Sequence, residues 1–158
     1  MLVLGGWALG NIAVGAIAAN QTSGSTQYFH RMNMYWNFFN LGLATVSYLS
    51  LKNGLGLPLA QTLQEQHSIE KIFLLNAGLD LAYMAGGLYL TERSKNTLKL
   101  PERLKGFGQS IILQGAFLLL FDGTMYAIHH HHGKQLDKAI EHIQLASTEN
   151  GIGLVVRL

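Results

Sequence analysis

Four apolar stretches of about 18 to 22 residues alternate with shorter polar segments along the chain. Each is long enough to cross the hydrocarbon core of a bilayer, about 30 Å thick, as an α-helix. The pattern predicts four membrane-spanning helices, over about residues 2–20, 33–51, 72–90 and 107–128. The chain has two prolines, and both fall between these stretches, which suits uninterrupted helices because an interior proline breaks helical hydrogen bonding.

The first apolar stretch is either an anchored helix or a secretory signal peptide. The small residues Ala16 and Ala18 resemble the cleavage site of a signal peptide. However, no Lys or Arg precedes the stretch, whereas a signal peptide begins with a positively charged region. We therefore expect residues 2–20 to remain as a membrane helix.

Two segments outside the spans have amphipathic patterns. Leu59 and Leu63 follow Pro58 at helical spacing, which predicts that the third helix begins near Pro58, outside the hydrocarbon, and continues into the membrane. Residues 134–144 carry three apolar positions at helical spacing and predict a short amphipathic helix on the interface or on a partner. The last residues, 151–158, form either an added strand or a disordered terminus.

The predicted fold is therefore an all-α, polytopic membrane protein. A four-helix membrane domain occupies residues 1–133, its third helix is extended before the span, and an amphipathic tail follows over residues 134–158. The loop 91–106 carries five Lys and Arg residues, which predicts that this loop is cytoplasmic and that both termini face away from the cytoplasm.

Composition narrows the class of protein. Hydrophobic side chains make up 49% of the residues and charged ones 13%, about half the charged fraction of a soluble domain. These values exclude a disordered chain, a disulfide-stapled secreted module and an ordinary soluble enzyme. The absence of cysteine excludes thiol nucleophiles, iron–sulfur clusters and thiolate zinc sites. The net charge of +2 is scattered, so no nucleic-acid partner is expected.

Small residues recur at helical spacing within the spans. Close packing of helices in lipid relies on such residues, because apolar burial gives them no drive to associate. We expect these glycines to pack the helices of the bundle or, as the alternative, to join two copies of the chain: Gly6, Gly10, Gly78, Gly86, Gly115 and Gly123.

Two carboxylates, Asp80 and Asp122, lie inside the predicted spans. With a rise of 1.5 Å per residue, both lie roughly 9–12 Å below the same interface. The spans contain no Lys or Arg, so we expect the two carboxyls to share a proton or to be bridged by amides and water. The amides expected in this cluster are Asn11, Asn37, Asn40, Asn76 and Gln114, with Asn11, Asn40 and Asn76 donating to the carboxyls.

The polar cluster has two interpretations. Ionisable residues within a membrane commonly form a proton or solute site, because their burial is costly. Alternatively, protonated acids and amides join the helices through interhelical hydrogen bonds of about 0.6 kcal/mol each. The second interpretation is favoured for the amides alone, and both stay open for the two aspartates.

Four consecutive histidines follow the fourth span. Successive side chains on a helix point in different directions, so no more than two of them can share one ligand site. A b-type haem held by His67 and either His129 or His130 is compatible with the topology, as is a divalent metal ion at the surface. A solvated interfacial segment is the expected role, and no cofactor or metal site is predicted.

Four segments of the chain resemble a family of small, uncharacterised four-helix bacterial membrane proteins that is known only as a domain of unknown function. These segments are MLVLGGWALGN, MNMYWNFFNLGLA, FLLNAGLDLAYMAGGLYL and GFGQSIILQGAFLLLFDGTMY, and they lie within about residues 1–128. The resemblance implies the four-span topology and a bacterial inner-membrane location. It implies no reaction.

The sequence thus predicts a non-enzymatic membrane protein, because it contains no phosphate-binding glycine loop, nucleophile elbow or HExxH motif. The leading hypothesis is an accessory or scaffold subunit, or a small homo-oligomer, in contact with lipid and with a protein partner or another copy. The first alternative is a small transporter or proton-coupled channel that uses Asp80 and Asp122. The second is a haem-bearing redox subunit.

Overall fold

A computed structural model of the chain shows a bundle of α-helices followed by a β-hairpin. The structure describes the backbone of residues 1–53, 59–141, 143–148 and 151–156, and the side chains of residues 1–50 and 68–134. The elements are α1 (Leu2–Gln21), α2 (Gly24–Asn53), α3 (Leu59–Arg93), a 3₁₀ turn (Ser94–Asn96), α4 (Pro101–Glu141), β1 (Ile143–Thr148) and β2 (Gly151–Val156). The two strands pair antiparallel, with Ile143 opposite Val156.

Three helices are long and apolar enough to cross a membrane, in agreement with the first, third and fourth predicted spans. The qualifying stretches are Leu2–Gln21, Ser68–Asn96 and Pro101–Lys134. Helix α2 covers the second predicted span, 33–51, and is 30 residues long, but it does not meet the same hydropathy criterion over its described residues. Its mean hydropathy is lower because its inward face carries three asparagines, Asn33, Asn37 and Asn40.

Helix α3 begins at Leu59, which confirms the predicted start of the third helix after Pro58. Its 35 residues extend over about 52 Å, well beyond the thickness of the hydrocarbon core. The prediction of a separate short C-terminal helix is wrong in one respect. Helix α4 continues without a break to Glu141, because Gly133 does not end it, and the hairpin follows.

The C-terminal segment was predicted as an amphipathic helix followed by either a strand or a disordered end. Strand β2 agrees with the added-strand alternative for the chain end. The amphipathic face predicted for 134–144 depends on side chains beyond Lys134, which lie outside the described residues. The all-α class thus holds for the helical bundle, and the hairpin is an addition to it.

The helices pack in the order α1, α2, α4, α3, so that α4 lies between α2 and α3. Glycines bring the backbones close. A Cβ atom on Gly15 of α1 would lie 2.9 Å from the carbonyl oxygen of His30, and one on Gly87 of α3 would lie 2.7 Å from that of Gly108. Gly87 was not among the predicted packing glycines.

Of the six predicted packing glycines, only Gly115 lies in a close interhelical contact. A Cβ atom there would lie 2.8 Å from Cγ of Met84. The other five (Gly6, Gly10, Gly78, Gly86 and Gly123) have no described neighbouring atom within 4 Å of that position. Among the described residues they pack against no neighbouring helix, and the alternative, contact with a second copy, stays a prediction.

The burial pattern is the reverse of that in a water-soluble protein. Among the described side chains, the buried apolar set is small (Leu4, Ala8, Ala19, Ala44 and Phe73), whereas the buried polar set is larger (Asn33, Asn37, Asn40, Asp80, Ser94, Ser110, Gln114 and Asp122). Large apolar side chains point outward, as with Phe39 at 67% and Leu120 at 73% exposure. Because soluble proteins bury such residues, this distribution suits an outer surface that faces lipid.

Candidate functional site

A hydrogen-bonded cluster joins α1, α2 and α4 in the centre of the bundle. Nε1 of Trp7 donates to Oε1 of Gln114 at 2.9 Å, and Nε2 of Gln114 donates to Oδ1 of Asn33 at 3.0 Å. Oγ of Ser110 donates to the same Asn33 oxygen at 2.5 Å. Gln114 and Ser110 are fully buried, so these bonds replace water that cannot reach them.

Two further asparagines of α2 extend this cluster. Nδ2 of Asn37 donates to the Asn33 carbonyl at 2.8 Å, and Nδ2 of Asn40 lies 3.4 Å from Oδ1 of Asn37. We call Trp7, Asn33, Asn37, Asn40, Ser110 and Gln114 the amide network. Sequence reasoning missed Trp7, Asn33 and Ser110. The signal was the spacing of Asn33, Asn37 and Asn40, which places all three on one helical face.

The second buried polar region is the pair of carboxyls on α3 and α4. Asp80 is 2% exposed and Asp122 is 6% exposed, and the two side chains lie within hydrogen-bonding reach of each other. Gly115 permits this approach, since a Cβ atom there would lie 3.1 Å from the carbonyl oxygen of Asp80. Oδ2 of Asp80 is buried and has no hydrogen-bond partner in the described part of the chain. We call Asp80 and Asp122 the carboxyl pair.

The carboxyl pair lines a cavity of about 1260 Å³. Most of its lining residues lie on α2, α3 and α4, and Leu4 of α1 also contributes; we call it the α2–α3 groove. Asn40 and Asn76 also line it. The ring of Trp36 on α2 packs edge-to-face on that of Tyr83 on α3, with centroids 5.1 Å apart. Nε1 of Trp36 is the second buried polar atom without a described partner, and its side chain lines the same groove.

The predicted polar cluster is thus divided between two places. Asn76 lines the groove beside the carboxyl pair, whereas Asn37 and Gln114 belong to the amide network. The expected hydrogen bonds from Asn11 and Asn40 to the aspartates are not those the structure shows. Nδ2 of Asn11 donates to the Trp7 carbonyl of its own helix at 2.9 Å, and Asn40 donates to Asn37.

The histidines after the fourth span have neighbours on α3. The ring of His129 stacks on Phe73 with centroids 5.6 Å apart, and Nδ1 of His130 lies 3.2 Å from Oε2 of Glu70. The side chain of His67 lies outside the described residues, so the haem ligation remains a prediction. Among the described side chains, no group of three or more His, Cys, Asp or Glu residues is placed to hold a metal ion.

Comparison with known proteins gives a single kind of match. A family model described as "Family of unknown function (DUF6992)" matches residues 3–123. This range includes the amide network and both members of the carboxyl pair. No curated protein and no solved structure is significantly similar to the chain. The sequence-based resemblance to an uncharacterised family is thereby confirmed.

Proposed function

The chain belongs to this family of unknown function, and we propose that it is an integral membrane protein that carries protons, or a solute coupled to protons, on Asp80 and Asp122. One observation carries the proposal: two buried carboxyls lie together on helices apolar enough to cross a membrane. No described Lys or Arg forms an ion pair with either carboxyl. Two negative charges are costly to keep there, so the pair holds a proton or a cation between its oxygens.

The α2–α3 groove supplies the access that such a site needs. Three other titratable side chains line it: Tyr35 on α2, Tyr83 on α3 and His129 on α4. His129 follows Asp122 by seven residues, about 10 Å along the same face of α4. It therefore lies just beyond the end of the predicted span, on the same face of α4 as Asp122, where an imidazole can pass a proton between the pair and water.

Proton flux into liposomes tests this proposal. The protein is reconstituted with a trapped pH-sensitive dye, and flux is measured under an imposed pH gradient. Asp80→Asn and Asp122→Asn should each reduce the flux to the level of protein-free liposomes, because an amide cannot release a proton in this range. Glu92→Gln makes the same chemical change on an exposed side chain of α3 and should leave the flux intact. Wild-type flux that survives in both aspartate variants would contradict the proposal.

A second candidate function, an accessory subunit or small homo-oligomer, is favoured by the unpacked glycines. Gly6 and Gly10 on α1, and Gly78 and Gly86 on α3, have open space where a Cβ would lie. Such positions allow another membrane helix to approach closely. Native mass spectrometry of the extracted protein distinguishes the outcomes. Multiples of 17.4 kDa indicate self-association, additional mass indicates a partner, and a monomer argues against this candidate.

The membrane placement is itself part of the proposal. The resemblance favours a bacterial inner membrane, and the basic loop 91–106 favours termini on the non-cytoplasmic side. Labelling of single cysteines in intact cells tests the orientation, because the chain has no cysteine of its own. A cysteine at Asn96 or Thr97 that reacts with an impermeant reagent from outside would reverse the proposed orientation.

A further inference from the structure

Two buried polar atoms in the α2–α3 groove lack partners among the described residues. One is a donor, Nε1 of Trp36, and the other is an acceptor, Oδ2 of Asp80. Buried polar groups in proteins are nearly always hydrogen-bonded, so two exceptions in one cavity indicate that something else bonds them. A hydroxyl group both accepts and donates a hydrogen bond, and it is therefore the simplest complement of this pair.

The two atoms lie in the same part of the groove. Tyr83 follows Asp80 by three residues, so their side chains occupy one face of α3. The ring of Tyr83 is in turn in contact with that of Trp36, at 5.1 Å between centroids. The two residues that carry the unpartnered atoms are thus both neighbours of Tyr83.

Most of the other residues that line the groove are apolar, and many of them carry rings. Aromatic and methionine side chains line it, among them Tyr35, Phe39, Phe73, Phe121 and Met125. Its volume of about 1260 Å³ exceeds the roughly 300–1,000 Å³ of typical ligand pockets. It therefore has room for an aromatic ring and an apolar tail, and aromatic rings pack well against other ring edges.

The charge of the site selects among membrane-soluble ligands. The two carboxyls repel the phosphate of a phospholipid and the carboxylate of a fatty acid, so a neutral head group is favoured. A simple aliphatic alcohol supplies the hydroxyl but leaves the aromatic walls without a ring to contact. A phenol or a quinol supplies both.

We infer that the α2–α3 groove binds a neutral, membrane-soluble phenol or quinol. Its hydroxyl accepts a hydrogen bond from Trp36 and donates one to Asp80, its ring lies among the aromatic walls, and its tail extends towards lipid. The inference rests on the membrane placement of the proposed function, because the ligand enters from the bilayer. It does not require that the carboxyl pair transfers protons.

Tryptophan fluorescence gives a direct binding assay. The chain has two tryptophans; Trp36 lines the groove, and Trp7 is stacked on Phe117 with its N–H bonded to Gln114. A decyl-substituted benzoquinol should quench the detergent-solubilised protein saturably, and Trp36→Phe should remove the saturable part. The matched ligand is the dimethyl ether of the same quinol. It has no O–H to donate to Asp80, so it should bind about ten-fold more weakly.

A second test replaces Asp80, the proposed hydrogen-bond acceptor of the quinol. Asp80→Asn preserves the shape of the side chain and replaces a charged acceptor with a neutral one, so quinol affinity should fall at least about ten-fold. Glu92→Gln should leave the affinity unchanged, since Glu92 is exposed and bonded to Lys95. Circular dichroism and gel filtration establish that each variant is folded. The comparison of quinol with its ether needs no variant at all.

Equal affinity for the quinol and its dimethyl ether would overturn the inference and indicate a groove filled by lipid chains of any kind. Equal quinol affinity in wild type and Asp80→Asn would also overturn it. The proposed function fails separately: quinol binding without proton flux contradicts proton transfer alone. Proton flux without quinol binding contradicts this inference alone.

Discussion

The amide network and the carboxyl pair are both buried and polar, yet they differ in how completely their atoms are bonded. Gln114 and Asp122 lie on the same helix, eight residues or about 12 Å apart. In the amide network, Gln114 uses both its oxygen and its nitrogen, and Oδ1 of Asn33 accepts two hydrogen bonds. In the carboxyl pair, Oδ2 of Asp80 has no described partner. Buried polarity alone therefore does not indicate a ligand site, whereas an unbonded buried atom does.

The surroundings of the two regions explain the difference. The network lies where α1, α2 and α4 converge, so donors and acceptors from three helices reach one another. The pair lies where α3 and α4 border the groove, and Oδ2 of Asp80 meets no donor among the described residues there. The network thus holds the bundle together, and the pair remains available to a proton, a cation or a ligand.

Removal of the central side chain of the network should have the largest effect on stability. Gln114→Leu leaves the Trp7 N–H and one acceptor site of Asn33 unbonded in a buried place. The free energy of unfolding should fall by about 1–3 kcal/mol. Unfolding in mixed micelles of increasing sodium dodecyl sulfate fraction measures it. Asn20→Leu is the control, because that exposed amide bonds only to Ala16 of its own helix, and an equal loss there would contradict the role of the network.

We expect a smaller loss of stability when the close contact between α3 and α4 at Gly115 is widened. Gly115→Ala places a methyl group 3.1 Å from the backbone oxygen of Asp80, so α3 must shift away from α4. We expect a loss of about 1 kcal/mol and a reduced proton flux, because the two carboxyls move apart. Gly78→Ala adds the same methyl group in open space on α3 and should be neutral or slightly stabilising. Equal effects of the two substitutions would show that Gly115 does not set the spacing.

Sequence reasoning predicted the helices better than it predicted the contacts between them. Hydropathy identified α1, α3 and α4, and Pro58 indicated the start of α3. It was less informative for α2, where the inward asparagines lower the mean hydropathy of a helix that still belongs to the bundle. The level of Asp80 and Asp122 could be estimated from helical rise, because the rise is the same in every helix.

Which face of each helix meets a neighbour could not be obtained in this way. Gly15 and Gly87 lie in close contacts whereas Gly6 and Gly78 do not, although all four occupy apolar helices. The rotation of each helix about its axis decides this, and it depends on the complete set of interhelical contacts. For the same reason, the sequence showed no polar role for Trp7 or Ser110; the structure places Gln114 opposite Trp7 and Asn33 opposite Ser110.

Substitution within the carboxyl pair should change stability little, and in the opposite direction from substitution within the network. The amide of Asp80→Asn has the shape of the carboxyl, and its N–H can donate to the carboxylate of Asp122 as the shared proton does in the pair. The free energy of unfolding should stay the same or rise by up to about 1 kcal/mol, because one ionisable group fewer is buried. Asp122→Asn should change the free energy of unfolding less in the Asp80→Asn background than in the wild type, since the two side chains interact. A clear loss of stability in Asp80→Asn would contradict this expectation and would indicate that the carboxyl pair, like the amide network, stabilises the bundle.

The smallest expected effect sets the scale on which the others are judged. Lys95 and Glu92 form an ion pair of 2.6 Å, but their side chains are 64% and 66% exposed. Glu92→Gln should change the free energy of unfolding by less than about 0.5 kcal/mol, because water and salt screen an exposed pair. The change should vanish when the measurement is repeated at high salt. A larger, salt-independent loss would mean that the α3–α4 connection is more rigid than its exposure suggests, and Glu92→Gln would then no longer serve as the control for the carboxyl pair. If Glu92→Gln changes the free energy of unfolding as little as expected, then the loss of a polar group is not in itself destabilising. A loss of about 1 kcal/mol in Gln114→Leu, with no loss in Asp80→Asn, then reflects burial and hydrogen bonding.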